Sequence, residues 1–275
     1  MSEFAGHLNL RAAALESGRT VLAAQSFRAP FHLSKPYWDE TARTLLVQIV
    51  NPTAGILSGD RLDSAIEVEP RASLLVTTPS ASRVFQMTDG VAECRQRFAV
   101  ATDAWLEVMP EALVPHRGSR YRQVTSVEVA SGGTLFFVDQ LMPGRVAHGE
   151  VWSWDRLILE TEVRLDGKLI LRERLDQRGE DLRELAELAG SGPAACFASA
   201  ILISDAAEGT QAGWRTDVAA LHGEGLWVGV SSLLKGGWSI KLIATDSVRL
   251  RGALRAMRKI LAEYYPRLAC DPRKL

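Results

Sequence analysis

Cysteine is scarce in this chain: three residues in 275, with Cys94, Cys196 and Cys270 far apart. An odd, dispersed set excludes a disulfide framework, and no Cys-x-x-Cys or Cys/His cluster carries zinc-ligand spacing. The histidines are equally scattered: His7, His32, His116, His148 and His222. Single histidines read as surface or structural residues, and a borderline-soft metal finds no dense imidazole or thiolate set here. Charge of one sign is missing as well. With 32 basic and 33 acidic side chains the net charge is −1, which gives no pull toward nucleic acid or an anionic membrane. No apolar run approaches the ~20 residues that cross a bilayer. The first seven residues lack the basic-then-apolar order of a signal peptide, so the expected setting is the reducing cytoplasm. Also lacking are a P-loop, a Rossmann glycine fingerprint, a His-Glu-x-x-His pair and a nucleophile elbow.

What is present is a soluble-type composition, 47% hydrophobic and 24% charged, which argues against disorder. Residues 1–43 read as a lead-in with short extended pieces at 18–22 and 27–33 and a turn at 34–38. From Thr44 to Leu175, strand-like runs recur between turn signals: Glu69-Pro70, Asp89-Gly90, Thr102-Asp103, Ser131-Gly132-Gly133 and Asp166-Gly167. The last of these suits a two-residue type I′ hairpin. A weak repeat runs through the same segment. A strand ends in Val68, Val100 or Val129, a turn follows, and Leu74, Leu106 or Leu135 stands six positions on. Self-similarity at such a period predicts stacked units, a β-solenoid or a layered sandwich of repeated corners.

After Arg174 the pattern changes. Residues 180–189 carry Leu182, Leu185 and Leu188 at helical spacing before Gly190. Strands are expected at 196–203, 226–234 and 238–244. A final helix starts at a Thr245 or Asp246 cap, repeats Leu250, Ala253, Leu254, Met257, Ile260, Leu261 and Tyr264, and stops at Pro266. Its Arg249, Arg251, Arg255, Arg258 and Lys259 read as a solvated polar side. The expected fold is mainly β: a stacked β-helix-like or sandwich body of many short strands over 1–175, with a small α+β portion over 176–275 packed on it as one unit.

Candidate chemistry sits at strand ends. The loop Asn51-Pro52-Thr53-Ala54-Gly55-Ile56-Leu57-Ser58-Gly59-Asp60-Arg61 joins two strand-like runs and ends in an acid beside a base. Alone, it reads as a turn with a surface ion pair. Asp139 closes the apolar run Leu135-Phe136-Phe137-Val138, where a lone carboxylate is costly to bury. Glu111 follows Met109-Pro110, and Arg145 and Glu150 flank Gly144 and Gly149.

Several segments match one pattern in order: Lys35-Pro36-Tyr37, the 51–61 loop, Thr77-Thr78-Pro79-Ser80-Ala81-Ser82-Arg83-Val84-Phe85, Leu106-Glu107-Val108-Met109-Pro110, Asp139, Gly144-Arg145 with Gly149-Glu150, and Leu171-Arg172-Glu173-Arg174. Together they resemble the urease accessory protein family called UreD or UreH over nearly the whole chain. The chain departs from the family pattern at Ala54 and Ser58 (glycines), at Arg83 (lysine), at Glu111-Ala112 (Gln-Glu) and at Phe137-Val138 (Gly-Trp), as a divergent member would. The resemblance implies a non-enzymatic scaffold that helps deliver nickel to apo-urease. It would work with a UreF-type helical accessory protein and a UreG-type GTPase, with no tightly bound cofactor and nickel only in transit. It also implies that Asp60, Asp139 and Glu150 line or support the nickel path, with Gly55, Gly59, Arg61, Arg83, Gly144 and Arg145 shaping the loops. The alternative is a β-solenoid carbohydrate-active enzyme using Asp60, Asp139 and Arg145 as an acid/base cluster. An aromatic content of only 7% leaves few side chains to stack sugars.

Overall fold

A computed structural model of the chain describes residues 5–188, 190, 192–204 and 213–273. Strand structure begins in the lead-in. β1 (Ala5–Ala14) pairs antiparallel with β2 (Thr20–Arg28), and the alternating Leu8, Leu10 and Ala12 turn into the core. The strand was missed because its inward positions taper to alanine, a weak β signal. β3 (His32–Leu33) and β4 (Tyr37–Asp39) both pair with β5 (Thr44–Val50). The turn expected at 34–38 therefore ends in a short strand, held by burial of Trp38 opposite Leu45.

From β5 onward the chain coils. β6 (Arg61–Val68), β7 (Ser73–Thr77) and β8 (Ser82–Val84) make one rung. β9 (Ala92–Val100), β10 (Trp105–Met109) and β11 (Leu113–Pro115) make the next, and β12 (Arg120–Val129), β13 (Thr134–Leu141) and β14 (Gly144–Arg145) the third. Long strands stack parallel on long strands and second strands on second strands, while β8 pairs β11 on a short third side. The sequence repeat is this stack in register. Val68, Val100 and Val129 are cross-strand partners, as are Leu74, Leu106 and Leu135, and all six are buried. Each corner thus repeats its apolar residue because the rung above and the rung below pack against it.

The coil stops where a different turn is written. β15 (Glu150–Val151) folds back on β14, and β16 (Arg156–Leu165) stacks parallel on β12. Then Asp166 (φ 49°) and Gly167 (φ 74°) send the chain back as β17 (Lys168–Gln177). Two successive positive φ angles are what a type I′ hairpin needs. The second sheet is completed by antiparallel β18 (Cys196–Ile203), β19 (Leu226–Ser232) and β20 (Gly237–Ala244). The first sheet runs β17-β16-β12-β9-β6-β1-β2 and the second β19-β20-β18-β13-β10-β7-β5-β3. The expected division at 175/176 falls inside β17, and the strands beyond it add directly to β13.

The two sheets bury one apolar layer between them, including Val76, Phe98, Val127, Phe137 and Ile201. The outward face of the first sheet is laced with cross-strand ion pairs such as Arg122–Glu160, Arg156–Asp176 and Arg172–Glu162. The outward face of the second is apolar and carries two helices. A third, α1 (Gly179–Leu188), packs instead between the sheets, where Leu182 and Ala186 join Leu62, Tyr121 and Leu157 of the first, while Leu185, expected beside Leu182, is half exposed. Ala189 and the side chain of Leu188 lie outside the described residues. α2 (Gly213–Ala219) and α3 (Ser247–Ala262) pack Trp214, Leu250, Leu254, Met257 and Leu261 against Phe136, Val138 and Leu202. Each such side chain withdrawn from water contributes about 1.5–3 kcal/mol.

The Asp246 carboxylate caps α3 by accepting from the Val248 and Arg249 amides. The helix ends one turn before Pro266, which instead opens a short 3-10 turn at Pro266–Ala269. One of the five bases read as solvated is not. Arg258 is 11% exposed and forms a two-pronged pair with Glu107, which is fully buried in β10. It also donates to the Cys270 carbonyl.

Candidate functional site: a polar channel along the stack

In a coil of parallel strands, residues in register form rows along the stacking axis, one every ~4.8 Å. On the inward face of the first sheet one such row is polar throughout: Ser64, Gln96, Thr125, Thr161 and Glu173. Thr125 donates from Oγ1 to Gln96 Oε1 at 3.1 Å, so part of the row is internally satisfied. On one side it is flanked by the apolar row Ile66, Phe98, Val127, Val163 and Leu171. On the other lie Leu62, Cys94, Gln123, Leu159 and Leu175. The second sheet answers with its own polar row, Asp139, Ser199 and Lys241, across β13, β18 and β20. Between the two sheets lies a cavity of about 780 Å³. Asn51, Thr53 and Gly55 of the glycine loop line one part of its wall, and Glu173, Ser199 and Lys241 another. Four strand spacings from Ser64 to Glu173 make this row roughly 19 Å long.

Asp139 is the distinctive group in the wall. It is half-buried and follows Phe137 on the inward face of β13, and its side chain makes no hydrogen bond or ion pair among the described residues. Burial pushes its carboxyl up to about 7. The Lys241 ammonium works against that shift, and the Glu173 carboxylate adds to it. Glu173 is differently placed. Its Oε2 takes the Lys241 ammonium at 2.5 Å, and the Ser199 and Ser239 hydroxyls donate to its carboxylate at 3.3 Å each. Lys241 also donates to Ser199 Oγ at 2.6 Å. Cys94 lines the same wall, but burial pushes its thiol up to about 11, which keeps it protonated and a poor metal ligand at neutral pH.

The residues singled out from the sequence fall into three places. Asp139, Gly55 and Arg83 line the cavity. Gly55 lets the loop lie against the next strand: Ile56 donates to the Arg83 carbonyl at 2.8 Å, and a Cβ on Gly55 would stand 2.6 Å from that same oxygen. Asp60 is buried at the foot of the loop, where its carboxylate accepts the Leu57 amide at 2.8 Å; it is absent from the cavity wall. Gly59, with φ 82°, sits in the turn that makes this possible, and Arg61 opens β6. Gly144, Arg145 and Glu150 belong to the β14–β15 hairpin. Arg145 grips Glu150 with two donors at 2.9 and 2.5 Å, which holds the Glu150 carboxyl down at about 2. His116 packs edge-on against Phe85 near this hairpin, and its burial favours the neutral ring. Asp60, Asp139 and Arg145 are therefore not assembled into one acid/base cluster.

Sequence reasoning missed Glu173, Ser199, Lys241 and Gln96 as wall residues. A signal existed for Glu173: it alternates in phase with Leu171 and Leu175, both partly buried, so an inward carboxylate was implied. For Lys241 the signal pointed the other way, because Ser239 and Lys241 alternate with Trp238, Ile240 and Leu242 and so read as a solvent-facing side. Among the described residues, no group of three or more His, Cys, Asp or Glu is arranged to hold a metal ion. Nor is any described helix long and apolar enough to cross a membrane.

The fold is a coiled β body of two facing sheets, with α2 and α3 on the outer side of the second and an Asp139-bearing cavity between the two. The model of the UreD urease accessory protein family matches residues 5–274, and the chain belongs to that family. It is 65% identical over 273 residues to the urease accessory protein UreD of Opitutus terrae, covering 99% of this chain and all of that one. It is 30% identical to urease accessory protein UreD 2 of Streptomyces griseus, over 90% of this chain and 85% of that one. Against UreD of Actinomyces naeslundii the identity is 26%, over 96% and 97%. The role is accessory to an enzyme rather than catalytic, which sets aside the carbohydrate-active alternative.

Proposed function

We propose that this chain is a cytoplasmic scaffold of urease maturation that passes nickel toward the urease active site, in a complex with a UreF-type helical protein and a UreG-type GTPase docked on apo-urease. The observation that carries the reading is Asp139: a carboxylate without a partner, facing a cavity that follows the stacking axis. Transit asks for donors that bind weakly and release, and hard oxygens spaced along a wall suit that better than a dense imidazole or thiolate set. In this reading Asp139 lines the path. Asp60 supports it from two positions before Leu62, and Glu150 from the hairpin after β13. Nickel is cargo, with no tightly bound cofactor required.

The test is co-expression of the full chain with urease and its accessory proteins, reading co-purification and nickel-dependent urease activity. Asp139→Asn is expected to assemble normally and to activate urease several-fold less, and Asp60→Ala to lower activation without abolishing assembly. Failure of the wild-type chain to co-purify removes the scaffold reading. Normal nickel loading by Asp139→Asn removes the path through the cavity.

A further inference from the structure

The polar rows of the two sheets meet at β17 and β20, and there a cation is already in place. Lys241 reaches from β20 to Glu173 Oε2 at 2.5 Å and to Ser199 Oγ at 2.6 Å. Its side chain is 50% exposed and that of Glu173 28%, so the pair stands between cavity and solvent. Asp139, next in register beyond Ser199, feels the same ammonium. Above the Asp139 titration near pH 7, the two carboxylates and the single lysine together carry one net negative charge. That charge draws a divalent cation in, while the lysine already holds Glu173.

We propose that Lys241 is a displaceable gate of the channel: its ammonium covers Glu173 and Ser199 at the β17–β20 end, and a divalent cation passes by taking its place between Glu173 and Asp139. This rests on reading the cavity as a cation path. A lysine suits the task because it is a compact charge on a flexible four-carbon stem, able to swing to solvent without disturbing the strands. A half-exposed ion pair is also weak enough to be exchanged. When the cation moves on, the ammonium returns and completes its release, so the mouth does not become a resting site. Three separate features are then accounted for: the lysine on an inward strand position, its partial exposure, and the unpartnered Asp139 one step inside.

The full chain is purified and its Ni²⁺ binding measured by equilibrium dialysis with the metal alone, alongside urease activation in the co-expressed complex. Lys241→Met, similar in length and uncharged, is expected to bind Ni²⁺ about tenfold more tightly than wild type, a difference of ~1.4 kcal/mol. It is also expected to activate urease less, because cargo is retained. Lys241→Arg keeps the charge and is expected to stay near wild type in affinity, and Glu173→Gln added to Lys241→Met is expected to abolish the gain. Should Lys241→Met not fold, judged by circular dichroism, Lys241→Gln decides by the same dialysis. Unchanged Ni²⁺ affinity on removing the ammonium overturns the gate, even if Asp139→Asn and Glu173→Gln impair activation and so uphold the path. Normal activation by Asp139→Asn overturns the path itself, whatever the dialysis shows.

Discussion

Asp139 is costly to keep. In the unfolded chain its carboxyl titrates near its ordinary 3.8, and in the folded protein burial lifts it to about 7. Between those values the folded state holds a proton that the unfolded state has released, so stability falls as pH rises from about 4 to about 7 and levels off above. Asp139→Asn removes the titration. Its melting temperature is expected to exceed wild type at pH 8, with the gap closing toward pH 4; a gap that does not change with pH contradicts the assignment. Arg258 illustrates the reverse economy. Replacing it by methionine leaves the fully buried Glu107 without its counter-charge, which is expected to cost about 3–5 kcal/mol in denaturant unfolding. Adding Glu107→Gln is expected to recover part of that loss. Asp139 was legible in the sequence because a carboxylate at the end of an apolar strand is conspicuous. Arg258 was not, because helical spacing cannot tell a base on the flank of an apolar stripe from one in water; here it follows Leu254 by four residues, and its partner lies 151 positions away.

Among the elements, local chemistry wrote the corners, hairpin and caps, and these were readable. The Val-to-Leu spacing of the corners survives because stacking forces successive rungs to repeat it, and Asp166-Gly167 breaks the coil through its own φ preferences. β1 was opaque because its inward side ends in alanines, and its place is set by pairing with β6, far along the chain. α3 offers a direct check on cap chemistry. Asp246→Ala strands the Val248 and Arg249 amides, each now 2.8 Å from the carboxylate, and is expected to cost about 1 kcal/mol in denaturant unfolding. The β14–β15 hairpin offers another. Gly144 has φ 119°, and a Cβ there would overlap the Glu150 carbonyl. Gly144→Ala is therefore expected to lower the melting temperature and to free Glu150 from Arg145, seen as a carboxyl resonance that titrates above its present value of about 2.

At the scale of the molecule, the polar wall of the cavity exists only through register. Ser64, Gln96, Thr125, Thr161 and Glu173 lie 29 or more residues apart until the last step, and no local pattern joins them. Each looks like an ordinary polar residue in a half-exposed strand; parallel stacking alone turns them into one row facing Asp139, Ser199 and Lys241. That makes the row open to a test that spares the fold. Ser64→Leu with Thr161→Leu adds apolar groups to a wall with room in front of it, and each buried methylene contributes about 0.8 kcal/mol. The double variant is expected to melt at or above the wild-type temperature, to assemble with its partners, and to lose most nickel-dependent activation of urease. Val124→Leu, on the outward face of β12, is the matched control and is expected to activate normally. If the plugged chain activates urease as well as wild type does, the proposed path through the cavity is wrong, and the polar rows are there only to satisfy one another.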